Sequence, residues 1–330
     1  HYYYFIRQLV SAGCALAAGL LLSIVPMDYI RRAYVLFVPV SIIISSVSLF
    51  PGFSDSGYFA VGGYRIIHTG SFALFASVFL ASGYIPDSDA LGGGRIRDFV
   101  LSTLGVMVMM VLSLFSAGLS WYVIIGFTVI AMLRAKRISY LAIAVSFAAM
   151  AAAAVVFLAI FPELMAPVMA SVMPVSDGTL YSQSLLRAAE AIRMGGIAGI
   201  GLGMGNTVSS PIDDQEGLFI FASLVRELGL SGCLFIIIFF LLVLLIGLRT
   251  ASRGARKGDE QSAALAIGLT LMIVLKAFMN MLYVTGILPL PGILLPFFSY
   301  SLSEEAMNII ASCILYRLIY ILGRRDNAKA

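Results

Sequence analysis

The stretch LFIFASLVRELGLSGCLFIIIFFLLVLLIGL, from Leu218 to Leu248, contains two charged residues, Arg226 and Glu227, in an otherwise apolar background. An apolar run of about 17–25 residues is long enough to cross the hydrocarbon core of a bilayer. Hydrophobic residues make up 61% of the 330-residue chain and charged residues 12%, whereas soluble domains carry about 25% charged residues. A chain this apolar is solvated by lipid, so the sequence predicts a polytopic membrane protein.

We predict an all-α transmembrane helix bundle with nine spans, forming a single domain over residues 1–330. The third span is the shortest, and a tilted or partly re-entrant helix is an alternative for it. The nine predicted spans are Gln8–Met27, Ala33–Phe50, Gly70–Ile85, Phe99–Phe115, Leu119–Leu133, Ile138–Phe161, Leu218–Leu248, Ser262–Leu288 and Glu305–Leu322.

The basic residues predict the orientation of the bundle. Clusters of Arg and Lys follow the first, third, fifth, seventh and ninth spans, so they all lie on one side if the spans alternate. Basic loops are retained in the cytoplasm, so this side is predicted to be cytoplasmic. The loops 51–69, 116–118, 162–217 and 289–304 are then predicted to be outside.

The outer loop 162–217, of roughly 55 residues, is too long to be a simple connector, and loops of this length are often functional. Within it, Tyr181–Met194 has helical spacing, with Leu185, Ala189 and Ile192 on one face. We predict an amphipathic helix at the membrane interface, with charged residues elsewhere on its surface.

Several classes of site are not supported by the composition. The formal charge of +4 comes from basic loops, so nucleic acid is not expected as a partner. Cys14, Cys233 and Cys313 lie in apolar runs far apart, and no disulfide framework is predicted. Neither His1 nor His68 has a second Cys or His at ligand spacing, so no zinc site is expected. The chain opens on His1 without a methionine, which suggests that its natural start is missing.

Three acids precede the Leu218–Leu248 span on the outer side. Asp213, Asp214 and Glu216 could supply a general base or hold a divalent cation such as Mg²⁺ or Mn²⁺, and a solvated loop tip is the alternative. Like charges this close raise one another's pKa, which suits a base. We take Glu216, Asp214 and Asp213 as the candidate catalytic residues, and we assign no residue as a metal ligand.

Charges inside spans are costly, so each of them is a functional candidate. Arg226, Glu227 and Lys276 are of this kind, and we predict a structural Glu227–Lys276 or Glu227–Arg226 pair, with substrate binding as the alternative. Glu304 and Glu305 begin the ninth span, where they could cap the helix or face the same outer cavity as Glu216.

Two further features of the outer side are open to two interpretations. The glycine run GIAGIGLGMGN (Gly196–Asn206) is typical of tightly packed backbone, and a backbone surface approached by a phosphate is the alternative. Arg65, in GGYRIIHTG (Gly62–Gly70), could reach lipid headgroups or bind a diphosphate through both guanidinium edges.

Several of these segments, in this order, resemble the SEDS family (shape, elongation, division and sporulation), to which RodA and FtsW belong. The resemblance rests on YYFIRQL (Tyr3–Leu9), IRRAYVL (Ile30–Leu36), the glycine run followed by FIFA and ELGLSG, and KAFMNMLYVTGILPLPGILLPFFSYSLS (Lys276–Ser303). The last of these is similar to the family's closing signature, TGxLP followed by a glycine and LPFxSY. The family has ten spans, so the resemblance implies that one span precedes this chain.

The resemblance implies a glycosyltransferase that polymerises lipid II into glycan strands at the outer face of a bacterial cytoplasmic membrane. It also implies a partner, a class B penicillin-binding transpeptidase. Such chemistry needs a base for the acceptor hydroxyl and positive charge, from arginine or a metal ion, on the departing diphosphate. The candidate substrate-binding residues are Arg65, Arg187, Lys276, Glu304 and Ser299.

The chain departs from the family at several polar positions. The aspartate expected before FIFA is Leu218, and Glu216, two residues earlier, is the best substitute. Other expected acids are replaced by Ala76 and Ser116, and a tryptophan expected beside Arg65 is Ile66. The gained charges, which could have re-paired into a new network, are Arg226, Lys276, Glu304 and Glu305.

Three functions therefore stay open at this point. The first is a SEDS-type polymerase with a shifted acid, and the second is a SEDS fold that has lost catalysis and supports a partner synthase. The third is an unrelated transporter or lipid flippase, although the chain has none of the internal duplication that transporters often show.

Overall fold

The computed structural model describes residues 2–50, 52–55, 57–62, 64–83, 95–172, 180–204 and 217–327. The described helices are α1 Tyr2–Ile24, α2 Met27–Arg31, α3 Tyr34–Val47, α4 Thr69–Gly83, α5 Arg95–Ala117, α6 Leu119–Ala135, α7 Tyr140–Ile160, α8 Ala166–Val172, α9 Leu180–Gly195, α10 Ile220–Arg256, α11 Glu260–Val284 and α12 Leu302–Asn327, with a 3₁₀ turn at Pro162–Met165.

The helical elements confirm the predicted bundle. Among the described residues, 6 helices are long and apolar enough to cross a membrane: Met27–Val47, Phe99–Ala117, Tyr140–Ile160, Ile220–Arg256, Glu260–Val284 and Leu302–Arg324. Three shorter apolar helices, Gln8–Leu22, Thr69–Gly83 and Leu119–Ala135, coincide with the remaining predicted spans. The protein is therefore an all-α, multi-pass membrane protein.

The short third span lies at the centre of the bundle. Nearly every side chain of α4 is buried, and the helix packs against α3, α5, α6 and α11. Because its neighbours are other helices, α4 does not need the length of a lipid-exposed span. Gly70 lets the helix approach α6 closely, since a Cβ there would lie 2.4 Å from the ring of Trp121.

Sequence reasoning missed a small sheet in the loop 51–69. Its strands are β1 Ser54–Asp55, β2 Tyr58–Val61 and β3 Tyr64–His68, all antiparallel in the order β1-β2-β3. Tyr58 pairs with His68, and a register shift lies between Phe59 and Ala60. The sheet ends directly before α4 and so fixes His68 over the start of the buried central helix.

The helix predicted within the long loop is present as α9. Leu185, Ala188 and Ala191 are buried, and the helix packs against α10. The predicted face is partly wrong: Ala189 is exposed and Ile192 only partly buried, because the buried stripe faces the protein. Its placement at the membrane interface stays a prediction.

The two ends of the bundle differ in their contacts. At one end the Arg137 guanidinium lies 3.4 Å from the Glu260 carboxylate, and the Lys257 ammonium donates to the Leu322 carbonyl. At the other end the Tyr58 hydroxyl lies 2.9 Å from Ser301 Oγ. The basic loops therefore lie at one end of the bundle and the sheet lies at the other. This agrees with the opposite sides that the charge pattern predicts for these loops.

Candidate functional site

The segment that precedes α10 is anchored at the sheet-bearing end of the bundle. Ser299 Oγ donates to the Gly217 carbonyl at 2.8 Å and accepts from the Leu295 amide at 2.9 Å. The Asn280 side-chain amide donates to the carbonyls of Leu218, at 2.9 Å, and Ile293, at 2.7 Å. Ser299, predicted to bind substrate, is buried here and links the 289–304 loop to the chain before α10.

A buried charge pair lies on α11 and α12 of the same bundle. The Lys276 ammonium lies 3.2 Å from Glu304 Oε2 and donates to Asn308 Oδ1 at 2.6 Å. Lys276 is 0% exposed, Glu304 3% and Asn308 1%. A charge this deep is tolerated only when it is paired and hydrogen-bonded. The prediction that gained cations and anions re-pair is therefore confirmed for Lys276 and Glu304.

The same contacts correct one earlier prediction. Lys276 pairs with Glu304 and not with Glu227, because α12 and not α10 presents a carboxylate to it. Both side chains are buried and neutralise each other within the bundle, and their predicted part in substrate binding stays a prediction.

His68 extends this polar cluster towards the sheet. Its Nδ1 accepts from the Ser71 amide at 3.3 Å and lies 3.7 Å from Glu304 Oε1. The backbone amide of His68 donates to Ser303 Oγ at 3.2 Å. Burial lowers the pKa of His68, the nearby Glu304 carboxylate opposes this shift, and the Lys276 ammonium adds to it. His68 is therefore neutral at pH 7.

Aromatic rings enclose the cluster. The His68 ring packs edge-on to Tyr58, with centroids 4.7 Å apart, and lies 4.8 Å from Trp121. The Lys276 ammonium lies 6.0 Å from the centre of the Trp121 ring. Trp121 Nε1 donates to the Gly292 carbonyl at 3.2 Å, which links these aromatic rings to the 289–304 loop. Beside the rings, the Glu304 Oε1 atom has no hydrogen-bond partner among the described residues.

The glycine run docks onto a break in α10. Gly229 has φ 66° and ψ −155°, which interrupts the helix and frees the carbonyls one turn earlier. The Ile200 amide donates to the Arg226 carbonyl at 3.0 Å, and the Gly201 amide donates to the Glu227 carbonyl at 3.1 Å. This arrangement supports the close-packing interpretation of the run.

Glycine is required at this junction. A Cβ at Gly199 would lie 2.2 Å from the Glu227 carbonyl oxygen, and one at Gly229 would lie 2.4 Å from the Gly199 nitrogen. The Glu227 carboxylate accepts from the Gly203 amide at 3.0 Å, so its side chain holds the glycine run. The Glu227 carboxylate thus bonds to backbone and not to Lys276, and its structural role stays a prediction.

The remaining candidate site residues that the structure describes lie on the sheet, on α9 and on α10. Arg65 Nε and Nη2 donate to the two carboxylate oxygens of Asp55, at 2.7 and 3.2 Å, across the sheet. Arg187 is partly buried on α9, and Arg226 is 1% exposed on α10. The candidate catalytic acids, Asp213, Asp214 and Glu216, lie outside the described residues. Among the residues that are described, no group of three or more His, Cys, Asp or Glu lies together as a metal site would require.

An apolar groove adjoins the polar cluster. It has a volume of about 560 Å³ and is formed by α1, α2, α3, α4, β3 and α12. Ile66, Ile67 and Ser303 line it at the sheet end, and Leu22 and Tyr29 line it at the opposite end. Ser303 thus belongs to both features, because it lines the groove and accepts from the His68 amide.

Sequence reasoning missed His68, Trp121, Asn280 and Asn308 as parts of the site. Asn280 and Asn308 could have been found, because an amide inside a hydrophobic span is costly unless it is hydrogen-bonded. His68 had no such signal, since its partners Ser71 and Glu304 are brought to it only by the sheet and by the packing of α12.

Comparisons with known proteins agree with this architecture. The sequence model of the FtsW/RodA/SpoVE family, described as cell cycle protein, matches residues 1–322. The chain is 26% identical over 334 residues to the probable peptidoglycan glycosyltransferase FtsW of Allochromatium vinosum, covering 99% of this chain and 83% of that protein. It is 33% identical over 145 residues to the FtsW of Nitrosomonas europaea, covering 44% of this chain and only 37% of that relative.

Two solved structures share the fold. One, described as the structural coordination of polymerization and crosslinking by a peptidoglycan synthase complex, superposes with a TM-score of 0.75 at 19% identity, over 97% of this chain and 90% of that one. Thermus thermophilus RodA, a rod shape determining protein, gives 0.65 at 16% identity, over 97% and 88%. Identities this low show a common fold alone.

Proposed function

Because the chain belongs to the FtsW/RodA/SpoVE (SEDS) family of cell cycle proteins, we propose that it is a peptidoglycan glycosyltransferase. Its substrate is lipid II, which it polymerises at the outer face of a bacterial cytoplasmic membrane. Its partner is a class B penicillin-binding transpeptidase. The names of the FtsW relatives and the likeness to a peptidoglycan synthase complex support this proposal.

The observation that carries the proposal is the apolar groove, which ends beside the sheet that bears Arg65. A polyprenyl diphosphate needs an apolar surface for its chain and a polar site for its headgroup. The groove offers apolar side chains such as Phe72 and Phe75 through much of the bundle. The sheet, with Arg65, lies at the end of the groove where the headgroup would emerge.

Glu216, assisted by Asp213 and Asp214, is the proposed general base for the acceptor hydroxyl. This assignment rests on the resemblance to the SEDS family, in which an acid is expected at the position of Leu218, and Glu216 is the best substitute for it. Arg65 and Arg187 are the proposed cations for the departing diphosphate. The same three acids are the candidates to hold a divalent cation, and we derive no step through it.

A second function is favoured by the residue before the segment FIFA (Phe219–Ala222), where an acid is expected. Leu218 is 6% exposed, its carbonyl is bonded to Asn280, and its side chain cannot take a proton. The only fully buried acid nearby on α12 that the structure describes, Glu304, is already paired with Lys276. A fold of this kind could act without catalysis, as a membrane scaffold that activates a partner synthase.

Polymerisation of purified lipid II separates the two functions. The full-length protein is assayed alone and with its co-purified transpeptidase, and the glycan products are resolved on a gel. A polymerase gives a ladder of products in at least one of the two preparations. A complex that stays intact but yields no ladder refutes polymerisation, and the scaffold function then takes its place.

A further inference from the structure

The end of α10 opposite the sheet bears a groove that no part of the proposed reaction uses. Its volume is about 770 Å³. The described residues that line it are Leu245, Leu248, Arg249, Ser252, Arg253, Arg256 and Lys257. Several cations therefore converge on one cavity beside a single helix.

The lining residues form a continuous stripe. Positions three and four apart lie on the same side of a helix, so Leu245, Arg249, Arg253 and Arg256 follow one another along α10. From Leu245 to Arg256 the helix rises about 16 Å, at about 1.5 Å per residue. The stripe is apolar in its first turn, where Leu245 is 48% and Leu248 44% exposed, and cationic in the next two.

The arginines of the stripe are not neutralised by the bundle. Within the parts of the chain that the structure describes, Arg249, Arg253 and Arg256 have no ion pair or side-chain hydrogen bond. At the same end, by contrast, Arg137 is paired with Glu260, and Arg134 donates to the Tyr140 hydroxyl. The groove is thus an accumulation of uncompensated positive charge next to lipid-exposed leucines.

We propose that this groove binds the headgroup of an anionic phospholipid in the leaflet where α10 ends. The lipid phosphate lies on Arg249, Arg253 and Arg256, whose guanidinium groups suit phosphate oxygens. The acyl chain lies on Leu245 and Leu248. Basic pockets beside membrane helices favour anionic headgroups, and a zwitterionic lipid brings a cation of its own that these arginines repel.

The position of the stripe favours a membrane lipid over other anions. Leu245 and Leu248 are exposed on a helix that can cross the membrane, so the hydrocarbon layer reaches the turn just before the arginines. A phospholipid of that leaflet presents its phosphate at this level, whereas a free phosphate or an acidic peptide has no part that continues along the apolar turn. The groove lies at the end of the bundle away from the sheet, so this inference is independent of the proposed polymerase activity.

The test measures lipid binding to the delipidated full-length protein in a neutral detergent. The probes are phosphatidylglycerol, phosphatidylcholine and inorganic phosphate, and the readout is the apparent affinity of each. We expect binding of phosphatidylglycerol alone, and roughly 30-fold weaker binding by the double variant Arg249→Gln/Arg253→Gln. The variant Arg249→Lys/Arg253→Lys, which keeps both charges, is expected to retain most of the affinity.

The matched control is Arg32→Gln/Arg134→Gln, which removes the same charge from the same end of the bundle. Equal losses in the control and in the groove variant would mean general electrostatic attraction and would overturn the proposal. Equal binding of phosphatidylcholine, or saturation of the groove by inorganic phosphate at the same concentration, would overturn it as well. Because these arginines are exposed, their replacement should leave the protein folded.

Discussion

Removal of the ammonium from the Lys276–Glu304 pair should be one of the most destabilising changes in the bundle. Lys276→Met leaves the Glu304 carboxylate, 3% exposed, without a cation. The loss of one partner of a buried pair costs about 3–5 kcal/mol of the free energy of unfolding. A Coulomb estimate for 3.2 Å with an effective dielectric constant of about 20 gives about 5 kcal/mol, close to the same range.

The assay is a double-mutant cycle of Lys276→Met and Glu304→Gln, unfolded by a denaturing detergent. The fluorescence of Trp121, the single tryptophan, reports on the site directly because its ring packs beside His68 and Lys276. We expect a coupling energy of about 3 kcal/mol. Arg65→Met, which breaks an exposed pair, should cost no more than about 1 kcal/mol. Additive effects of Lys276→Met and Glu304→Gln, with a coupling below about 0.5 kcal/mol, would refute the pairing.

Two further outcomes follow from the same structure. Gly199→Ala should destabilise the protein several times more than Gly203→Ala. Both glycines have positive φ, but only at Gly199 would the new Cβ meet backbone, 2.2 Å from the Glu227 carbonyl oxygen. Similar unfolding midpoints for the two variants would contradict the docking of the glycine run. Burial lowers the pKa of His68 in the folded protein. When the pH falls below about 6.5, His68 of the unfolded chain therefore takes up a proton first. The free energy of unfolding should then fall until the pH passes the pKa of His68 in the folded protein. The His68→Gln variant should lose that part of the pH dependence between pH 7.5 and 5, and an unchanged profile would show that His68 does not carry it.

The helical framework could be predicted because its causes are local. Apolar runs of spanning length and basic residues at alternate loops depend on sequence alone, and each predicted span has a helix in the structure. The close packing of the glycine run could also be predicted, since glycine permits positive φ and near approach. Its partner, the break at Gly229, could not, because Gly229 is one of three glycines in Leu218–Leu248 and nothing in the sequence marks it as the one that interrupts the helix.

The site was less accessible from the sequence because its residues come from distant elements. Lys276 lies on α11, and Glu304 and Asn308 lie on α12. His68 lies on β3 of the small sheet, whose strands were too short to be predicted from the sequence. The choice between Glu227 and Glu304 as the partner of Lys276 depends on which helix faces α11 at that depth. Such a choice is made by packing in three dimensions and not by spacing along the chain.

We propose above that this protein polymerises lipid II with Glu216 as its base. The most direct test is the initial rate of glycan formation by Glu216→Gln in complex with the transpeptidase. Glu163→Gln, which changes an exposed acid in the same predicted outer loop, is the matched control. We expect product from the wild type and from Glu163→Gln, and a loss of about 100-fold or more for Glu216→Gln, because a general base is removed. An undiminished rate for Glu216→Gln would contradict the assignment of the base, and no product from any form would contradict the polymerase itself.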